Sequence, residues 1–315
     1  MTRGAKPDLL VDTSTKRRLV LSISRMTVHN GPGIRTLILF KGCPLHCLWC
    51  STPESQSARP EIAFFPDKCI HCNECLVACP DGAIRLNGHS VNIDRAACDG
   101  CCKCVSVCNA EALRPLGRPM TVAELVGEVC KDAVVFKHSR GGVTLSGGEP
   151  LLQPEFTAAL VRALAETGIS VGVDTCGYVP RATIERILPY VDFFLWDVKL
   201  VNERRHRDLT GVSNRLILSN LGFVSQRGVP VYIRIPLIPG YTDRQEDLEA
   251  VCHLVRGLAS VVEVDLLPLH HLGEMRYLSL GREYPIEGIP LIPEAVLWDK
   301  KRLLESHGLT CNIIG

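Results

Sequence analysis

Cysteine spacing constrains this chain more than any other feature. Sixteen of its 315 residues are cysteine, and twelve of those lie between Cys43 and Cys108. The other four (Cys130, Cys176, Cys252 and Cys311) are scattered through the last two thirds. The first 20 residues hold Lys6, Asp8, Asp12, Lys16, Arg17 and Arg18 but no apolar stretch of the kind a secretory signal needs. The expected location is therefore the cytoplasm, where thiols stay reduced, and a disulfide framework is not expected. Metal or redox chemistry is the leading reading of so many thiols. The charge is balanced, with 35 Lys+Arg against 34 Asp+Glu, so nothing marks a nucleic-acid or anionic-membrane surface. No apolar run approaches the roughly 18 to 20 residues of a membrane span.

Two segments repeat one spacing. Cys69-Ile-His-Cys72-Asn-Glu-Cys75-Leu-Val-Ala-Cys79 and Cys98-Asp-Gly-Cys101-Cys102-Lys-Cys104-Val-Ser-Val-Cys108 both read C-x₂-C-x₂-C-x₃-C. This is the bacterial ferredoxin pattern, in which the fourth cysteine of each run ligates the other run's cluster. One [4Fe–4S] cluster is thus assigned to Cys69, Cys72, Cys75 and Cys108, the other to Cys98, Cys101, Cys104 and Cys79. Structural zinc, the bland alternative, is built from paired knuckles with a longer spacer. Cys102 is surplus to the spacing. Upstream, Cys43-Pro-Leu-His-Cys47-Leu-Trp-Cys50 reads C-x₃-C-x₂-C. Three thiolates on a four-iron cluster leave one iron open, and an open metal position implies an exogenous ligand and chemistry.

The rest of the chain is organised differently. Residues 53 to about 118 have weak periodicity and turns at Pro66-Asp67, Pro80-Asp81-Gly82 and Asn87-Gly88. From 119 on, helical stretches near 121–138, 153–168, 180–190, 213–227, 243–259 and 293–307 alternate with β-branched runs. The runs are Val143–Ser146, Ser170–Asp174, Phe193–Val198, Val231–Pro236, Val261–Leu267 and Leu309–Ile313, and alternation of this kind predicts a parallel sheet flanked by helices. Two more strands, Val20–Ser24 and Thr36–Lys41, precede the cysteine-rich block. The fold class expected is α/β: a partial (β/α)6-type TIM barrel made of 1–52 and 119–315, with a small α+β ferredoxin-like domain of two clusters inserted at 53–118. Loops at the C-terminal strand ends are where sites form in such folds.

The C-x₃-C-x₂-C run resembles the signature of radical S-adenosylmethionine (SAM) enzymes. The longer stretch from Asn30-Gly-Pro-Gly-Ile-Arg35 through Phe40-Lys-Gly-Cys43 to Cys50 resembles one subgroup, the glycyl-radical-enzyme activating enzymes, in the branch with two inserted clusters. The resemblance covers about residues 20–315. It implies that the open iron, held by Cys43, Cys47 and Cys50 beside Trp49, binds the amino and carboxylate groups of SAM. Ser146-Gly147-Gly148-Glu149-Pro150 is similar to the family's Gly-Gly-Glu motif, which implies that Gly147, Gly148 and Glu149 hold the SAM ammonium. Glycine permits close backbone approach, and a glutamate is a charge-assisted acceptor. Leu266-Leu-Pro-Leu-His270-His271 resembles a Leu-Leu-Pro-x-His motif whose histidine contacts SAM, and Arg234 is expected in the mouth. By the same resemblance Lys199 and Asp174 face SAM, while Asp174, Thr175, Asp197 and the Leu195 carbonyl form a monovalent-cation site of the oxygen type hard cations prefer.

The resemblance also implies the activity. SAM is cleaved reductively to methionine and a 5′-deoxyadenosyl radical, which takes a glycine Cα hydrogen from a partner glycyl radical enzyme. Flavodoxin or ferredoxin would donate the electron, the chain would act as a monomer, and its clusters would be vulnerable to air. The expected partner is isethionate sulfite-lyase, then choline trimethylamine-lyase. Two departures stand out: Asn30 where the family often has Asp, and Ser51-Thr-Pro-Glu54 where many members read His-Asn-Pro-Glu. The alternatives are a radical SAM enzyme acting on a small molecule or peptide, and an electron-transfer protein of ferredoxin type.

Overall fold

The computed structural model describes residues 16–88 and 90–314. The signal-peptide reading of Lys6, Asp8 and Asp12 lies outside them. The strands are β1 (Arg18–Thr27), β2 (Arg35–Phe40), β3 (Glu61–Phe64), β4 (Ile84–Asn87), β5 (Ser90–Ile93), β6 (Leu113–Leu116), β7 (Arg118–Met120), β8 (Gly142–Gly147), β9 (Ser170–Thr175), β10 (Phe193–Asp197), β11 (Val231–Leu237), β12 (Val261–Pro268) and β13 (Cys311–Ile313). The helices are α1 (Glu74–Ala78), α2 (Lys103–Ser106), α3 (Val122–Cys130), α4 (Ala133–Ser139), α5 (Pro154–Glu166), α6 (Arg181–Ile187), α7 (Glu203–Thr210), α8 (Arg215–Gln226), α9 (Gln245–Arg256), α10 (Glu274–Ser279) and α11 (Glu294–Ser306).

Nine strands form one sheet in the order β13-β12-β11-β10-β9-β8-β2-β1-β7. From β2 to β13 every pairing is parallel. This is what alternating strands and helices dictate, because parallel neighbours need a crossover. The two strands at the other edge differ: β1 runs antiparallel to β2, and β7 antiparallel to β1. The expected single helix over 121–138 is two helices. α3 begins on a capping box made by Thr121 and Glu124, and the chain breaks at Asp132, whose buried carboxylate accepts from Thr36 Oγ1 at 2.6 Å and from Arg25.

Strand alternation divides the side chains cleanly. Ile38 and Phe40, Val143 and Leu145, Val171 and Val173, Phe194 and Trp196, Ile233 and Ile235, and Val264 and Leu266 all enter the main apolar core with the helices. Their neighbours one residue along must take the opposite face. On that face lie Leu37, Leu39, Ser146, Asp174, Asp197, Arg234 and Leu267, which border one cavity. The pattern that buries the sheet on its helices therefore also sends polar and charged groups to a single place.

The cysteine-rich segment leaves the main sheet after Phe40 and returns to it at Arg118. It contains two small antiparallel pairs, β3 with β6 and β4 with β5. Its core is small: Ile62, Phe64, Ile84, Val91, Ile93, Cys104, Ala112 and Leu113, against which Cys69, Cys75, Cys79, Cys98, Cys102 and Cys108 pack. Helices α1 and α2 each begin after a residue in the left-handed region, Asn73 and Cys102, both at φ 63°. The two positions correspond in the two runs, so Cys102 occupies a conformation that asparagine accepts more readily.

Candidate active site

A cavity of about 360 Å3 opens at the C-terminal ends of the parallel strands. Cys43, Cys47, Cys50 and Trp49 line one side of it. Gly147, Gly148, Asp174, Asp197, Lys199, Arg234 and His270 line the rest. Six separate strand ends are thus drawn to one point.

Backbone hydrogen bonds fix the Cys43–Cys50 loop. Gly42 N donates to Ser55 O at 2.7 Å and Cys43 N to Gln56 O at 2.9 Å. From the other side, His46 N donates to Thr210 O at 2.8 Å and Leu48 N to Leu209 O at 3.2 Å, so the end of α7 carries the loop's middle. Gly148 N donates to Phe40 O at 2.8 Å and Glu149 N to Gly42 O at 2.7 Å. The Gly-Gly turn therefore braces the strand end from which the cysteine loop starts. A Cβ on Gly148 would stand 2.2 Å from Gly42 O, and Gly147 has φ +119°, so neither position admits a side chain.

Burial pushes all three thiols up: Cys47 to about 12, and Cys43 and Cys50 in the same direction. Lys199 opposes the shift at Cys47 and Cys50. Buried thiols at one cavity wall need positive charge before they ionise, and bound metal supplies it. Three thiols at one cavity wall therefore fit an iron–sulfur group, which they would hold at the cavity. Lys199 Nζ donates to Asp197 Oδ2 at 2.8 Å. Burial disfavours its charge, yet Asp197 and then Cys47 outweigh that cost and its pKa is raised. Asp174 Oδ2 accepts from Ser146 Oγ at 2.8 Å and from Arg234 Nη1 at 3.4 Å, while burial raises its pKa against the pull of Arg234. Arg234 also donates to the His29 carbonyl and lies 3.8 Å from Asp265.

Two expected site residues are placed differently. The carboxylate of Glu149 does not line the cavity. It is fully buried beneath it and accepts four hydrogen bonds: from Leu151 N (3.0 Å), Thr175 Oγ1 (2.7 Å), Cys176 N (2.9 Å) and Cys176 Sγ (2.9 Å). Thr175 follows Asp174 on its strand, so alternation turns its hydroxyl to the opposite face, where it meets Glu149 and Gly177 N. Of the three side chains read as cation ligands, Asp174 and Asp197 face the cavity, each already hydrogen bonded, and Thr175 does not. Cys176, which lines the cavity and holds Glu149, had no motif to announce it.

The other cysteines converge in two groups. Cys69, Cys72, Cys75 and Cys108 surround one gap, and Cys79, Cys98, Cys101 and Cys104 surround another, which Cys102 also borders. In each group the fourth cysteine comes from the other run. Among the described residues no three His, Cys, Asp or Glu close around a point as ligands of a single metal ion would. The departures at Asn30 and Ser51–Glu54 are structural positions here. The Asn30 carbonyl accepts from Thr144 Oγ1 at 2.7 Å, and buried Glu54 accepts from Arg276 Nη1 at 2.7 Å. In the Asn30–Arg35 motif, Arg35 is buried, donates to Thr144 Oγ1 at 2.7 Å and to Val143 O at 2.6 Å, and lies over Phe193.

Known proteins share this arrangement of chain. The radical SAM superfamily profile matches residues 37–255. The choline trimethylamine-lyase activating enzyme of Oleidesulfovibrio alaskensis is 37% identical over 305 residues, covering 95% of this chain and 98% of the relative. The isethionate sulfite-lyase activating enzyme of the same organism is 41% identical over 280 residues, covering 87% and 90%. The crystal structure of Streptococcus suis SuiB bound to precursor peptide SuiA has the same fold, with a TM-score of 0.51 at 12% identity over 87% of this chain and 46% of that one. The chain belongs to the radical SAM superfamily and, within it, to the activating enzymes of glycyl radical enzymes. Among the described residues no helix is long and apolar enough to cross a membrane.

Proposed function

We propose that this chain uses its cavity to cleave SAM reductively and to deliver the resulting radical to one glycine of a partner glycyl radical enzyme. The observation that carries this is the convergence of Cys43, Cys47 and Cys50 on the same cavity as Gly147, Gly148, Lys199 and His270. When bound, the open [4Fe–4S] cluster supplies one electron to SAM, giving methionine and a 5′-deoxyadenosyl radical. That radical takes the glycine Cα hydrogen, leaving 5′-deoxyadenosine and a glycyl radical.

The chain's own residues bind, orient and exclude water. Cys43, Cys47 and Cys50 hold the open cluster. Gly147 and Gly148 present backbone to the methionine end of SAM, Lys199 and Asp174 supply opposite charges at its carboxylate and ammonium, and His270 and Trp49 line the same cavity. Glu149 acts from beneath, by fixing the turn that bears those glycines. No side chain needs to act as a general acid or base. The gaps bordered by Cys69, Cys72, Cys75 and Cys108, and by Cys79, Cys98, Cys101 and Cys104, hold two auxiliary [4Fe–4S] clusters of a ferredoxin-like insert at 53–118. That insert is carried on a partial (β/α)6-type barrel formed by 1–52 and 119–315. Flavodoxin or ferredoxin supplies the electron. The relatives at 36% to 41% identity bear the names of activating enzymes for several different lyases, so overall similarity does not rank isethionate sulfite-lyase against choline trimethylamine-lyase.

Anaerobic reconstitution with iron, sulfide, SAM and dithionite tests the proposal. About twelve irons per chain and release of 5′-deoxyadenosine are expected. With the partner present, a glycyl-radical doublet should appear in its electron paramagnetic resonance (EPR) spectrum. Absence of 5′-deoxyadenosine from a fully reconstituted chain overturns the reading.

A further inference from the structure

We infer that Arg18 is a positioning residue for the Gly147–Glu149 turn and sets the affinity of the cavity for SAM without touching it. The inference rests on the reading that this turn holds the methionine end of SAM.

Arg18 opens β1, is 1% exposed, and precedes the stretch that matches the superfamily profile. Its hydrogen bonds go to carbonyl and hydroxyl oxygens instead of a carboxylate. Nη2 donates to Glu149 O at 2.7 Å, and Nη1 to Pro150 O at 2.5 Å and to Thr157 Oγ1 at 3.2 Å. The guanidinium stacks on Phe40, 4.3 Å from the ring centroid. Its Nε has no hydrogen-bond partner among the described residues. Burial lowers its pKa to about 10, with Glu149 opposing the shift, so it is protonated at neutral pH.

A buried cation without a hydrogen-bonded carboxylate is costly, and well-packed apolar side chains commonly replace buried ions without loss of stability. An aliphatic side chain on Phe40 would serve the core as well. What it would not supply is one charged donor that ties the carbonyls of Glu149 and Pro150 together. Glu149 N is held by Gly42 O, and the Glu149 carboxylate is saturated by its four donors. Arg18 supplies the charged donor to that residue's carbonyl, which also accepts from Leu152 N at 3.2 Å, and to Pro150 O, which also accepts from Thr157 Oγ1 at 2.5 Å. The peptide planes on both sides of Glu149 are thereby fixed, and the backbone of Gly147 and Gly148 is held at the cavity wall. The planar fork reaches two oxygens at once, which a lysine does not.

Arg18→Gln and Arg18→Lys test this in the full, anaerobically reconstituted chain. The probe is SAM itself, measured by equilibrium dialysis and by the change it causes in the cluster's EPR spectrum. The Gln variant should bind SAM about ten- to a hundredfold more weakly, the order expected when the hydrogen bonds of a charged donor are lost from the turn. The Lys variant should recover part of the loss. The loss should appear in KM for SAM more than in kcat, with the EPR spectrum recorded before SAM addition unchanged. SAM affinity within twofold of wild type in Arg18→Gln overturns the inference, whatever happens to its unfolding midpoint. If that variant does not fold, Arg18→Lys decides by the same criterion. A wild-type chain that binds no SAM overturns the site reading and the inference with it, whereas normal wild-type binding with unaltered variants overturns the inference alone.

Discussion

The sheet and the cysteine-rich segment hold their thiols by opposite means. In the sheet, a large apolar core built from alternate strand residues exists independently of Cys43, Cys47 and Cys50, which sit on a loop at its edge. In the segment the thiols are themselves part of the packing: eight buried residues form the core, one of them Cys104, and six more cysteines lean on it. A unit of some 65 residues buries too little to stand securely on apolar contacts alone. The difference predicts that, with clusters bound as proposed, their loss has two distinct consequences in one chain. At the cavity it should remove chemistry, and in the segment it should remove structure.

The largest expected effect follows directly. Removing iron with an anaerobic chelator should unfold residues 61–116 while leaving the parallel sheet intact, because metal-ligand free energy is folding free energy in small metal-held units. Hydrogen exchange by mass spectrometry should show protection of β3 to β6 collapsing and that of β8 to β11 retained. Equal protection of both regions after iron removal would break the comparison. The next test works from the other side. Cys47→Ala should lose about four of about twelve irons and lower 5′-deoxyadenosine release about a thousandfold or more, with segment protection unchanged. Loss of all iron in that variant would mean that the two regions are not independent.

A third test uses the sheet core itself. Phe194→Ala removes a buried ring stacked edge-on against Trp196, and should cost about 3 to 5 kcal/mol in urea unfolding of the sheet. It should not change the iron content of the segment.

Legibility differed between the regions for the same physical reason. Parallel strands buried on one face announced themselves as β-branched runs, so Val143–Ser146 and Val231–Pro236 were readable to within a residue or so at each end. The antiparallel direction of β1 was not, because pairing direction is set by the return path and leaves no mark in a single strand. Helix α7 was invisible: Glu203–Thr210 reads Glu-Arg-Arg-His-Arg-Asp-Leu-Thr, with one apolar residue and no periodicity. At the cavity, spacing revealed which cysteines belong together, since ligand geometry is local. It did not reveal where Glu149 points, because that depends on Thr175 and Cys176 from the next strand. Arg18 carries no motif at all, and only the packing of β1 beside Phe40 brings it to the turn.

The smallest effect concerns α7, and it locates acid sensitivity on the sheet side of the comparison. His206 is buried, with Nδ1 2.8 Å from Val212 O and 3.1 Å from Thr210 Oγ1, close to the carbonyls that hold His46 and Leu48 of the cysteine loop. Burial lowers its pKa below the ordinary 6.5, against the Val212 carbonyl and with the help of the Lys199 charge. The unfolded chain therefore takes up this proton first as pH falls. Both states are neutral at His206 well above pH 6.5, and stability is lost as pH drops from there toward the folded value. Urea midpoints taken anaerobically at pH 7.5 and 5.5 should fall with acid in wild type and fall less in His206→Gln. Exchange should rise at 43–50 before it rises in β3 to β6. An acid response identical in wild type and His206→Gln would remove α7 as its source and leave the cysteine-rich segment as the region to test.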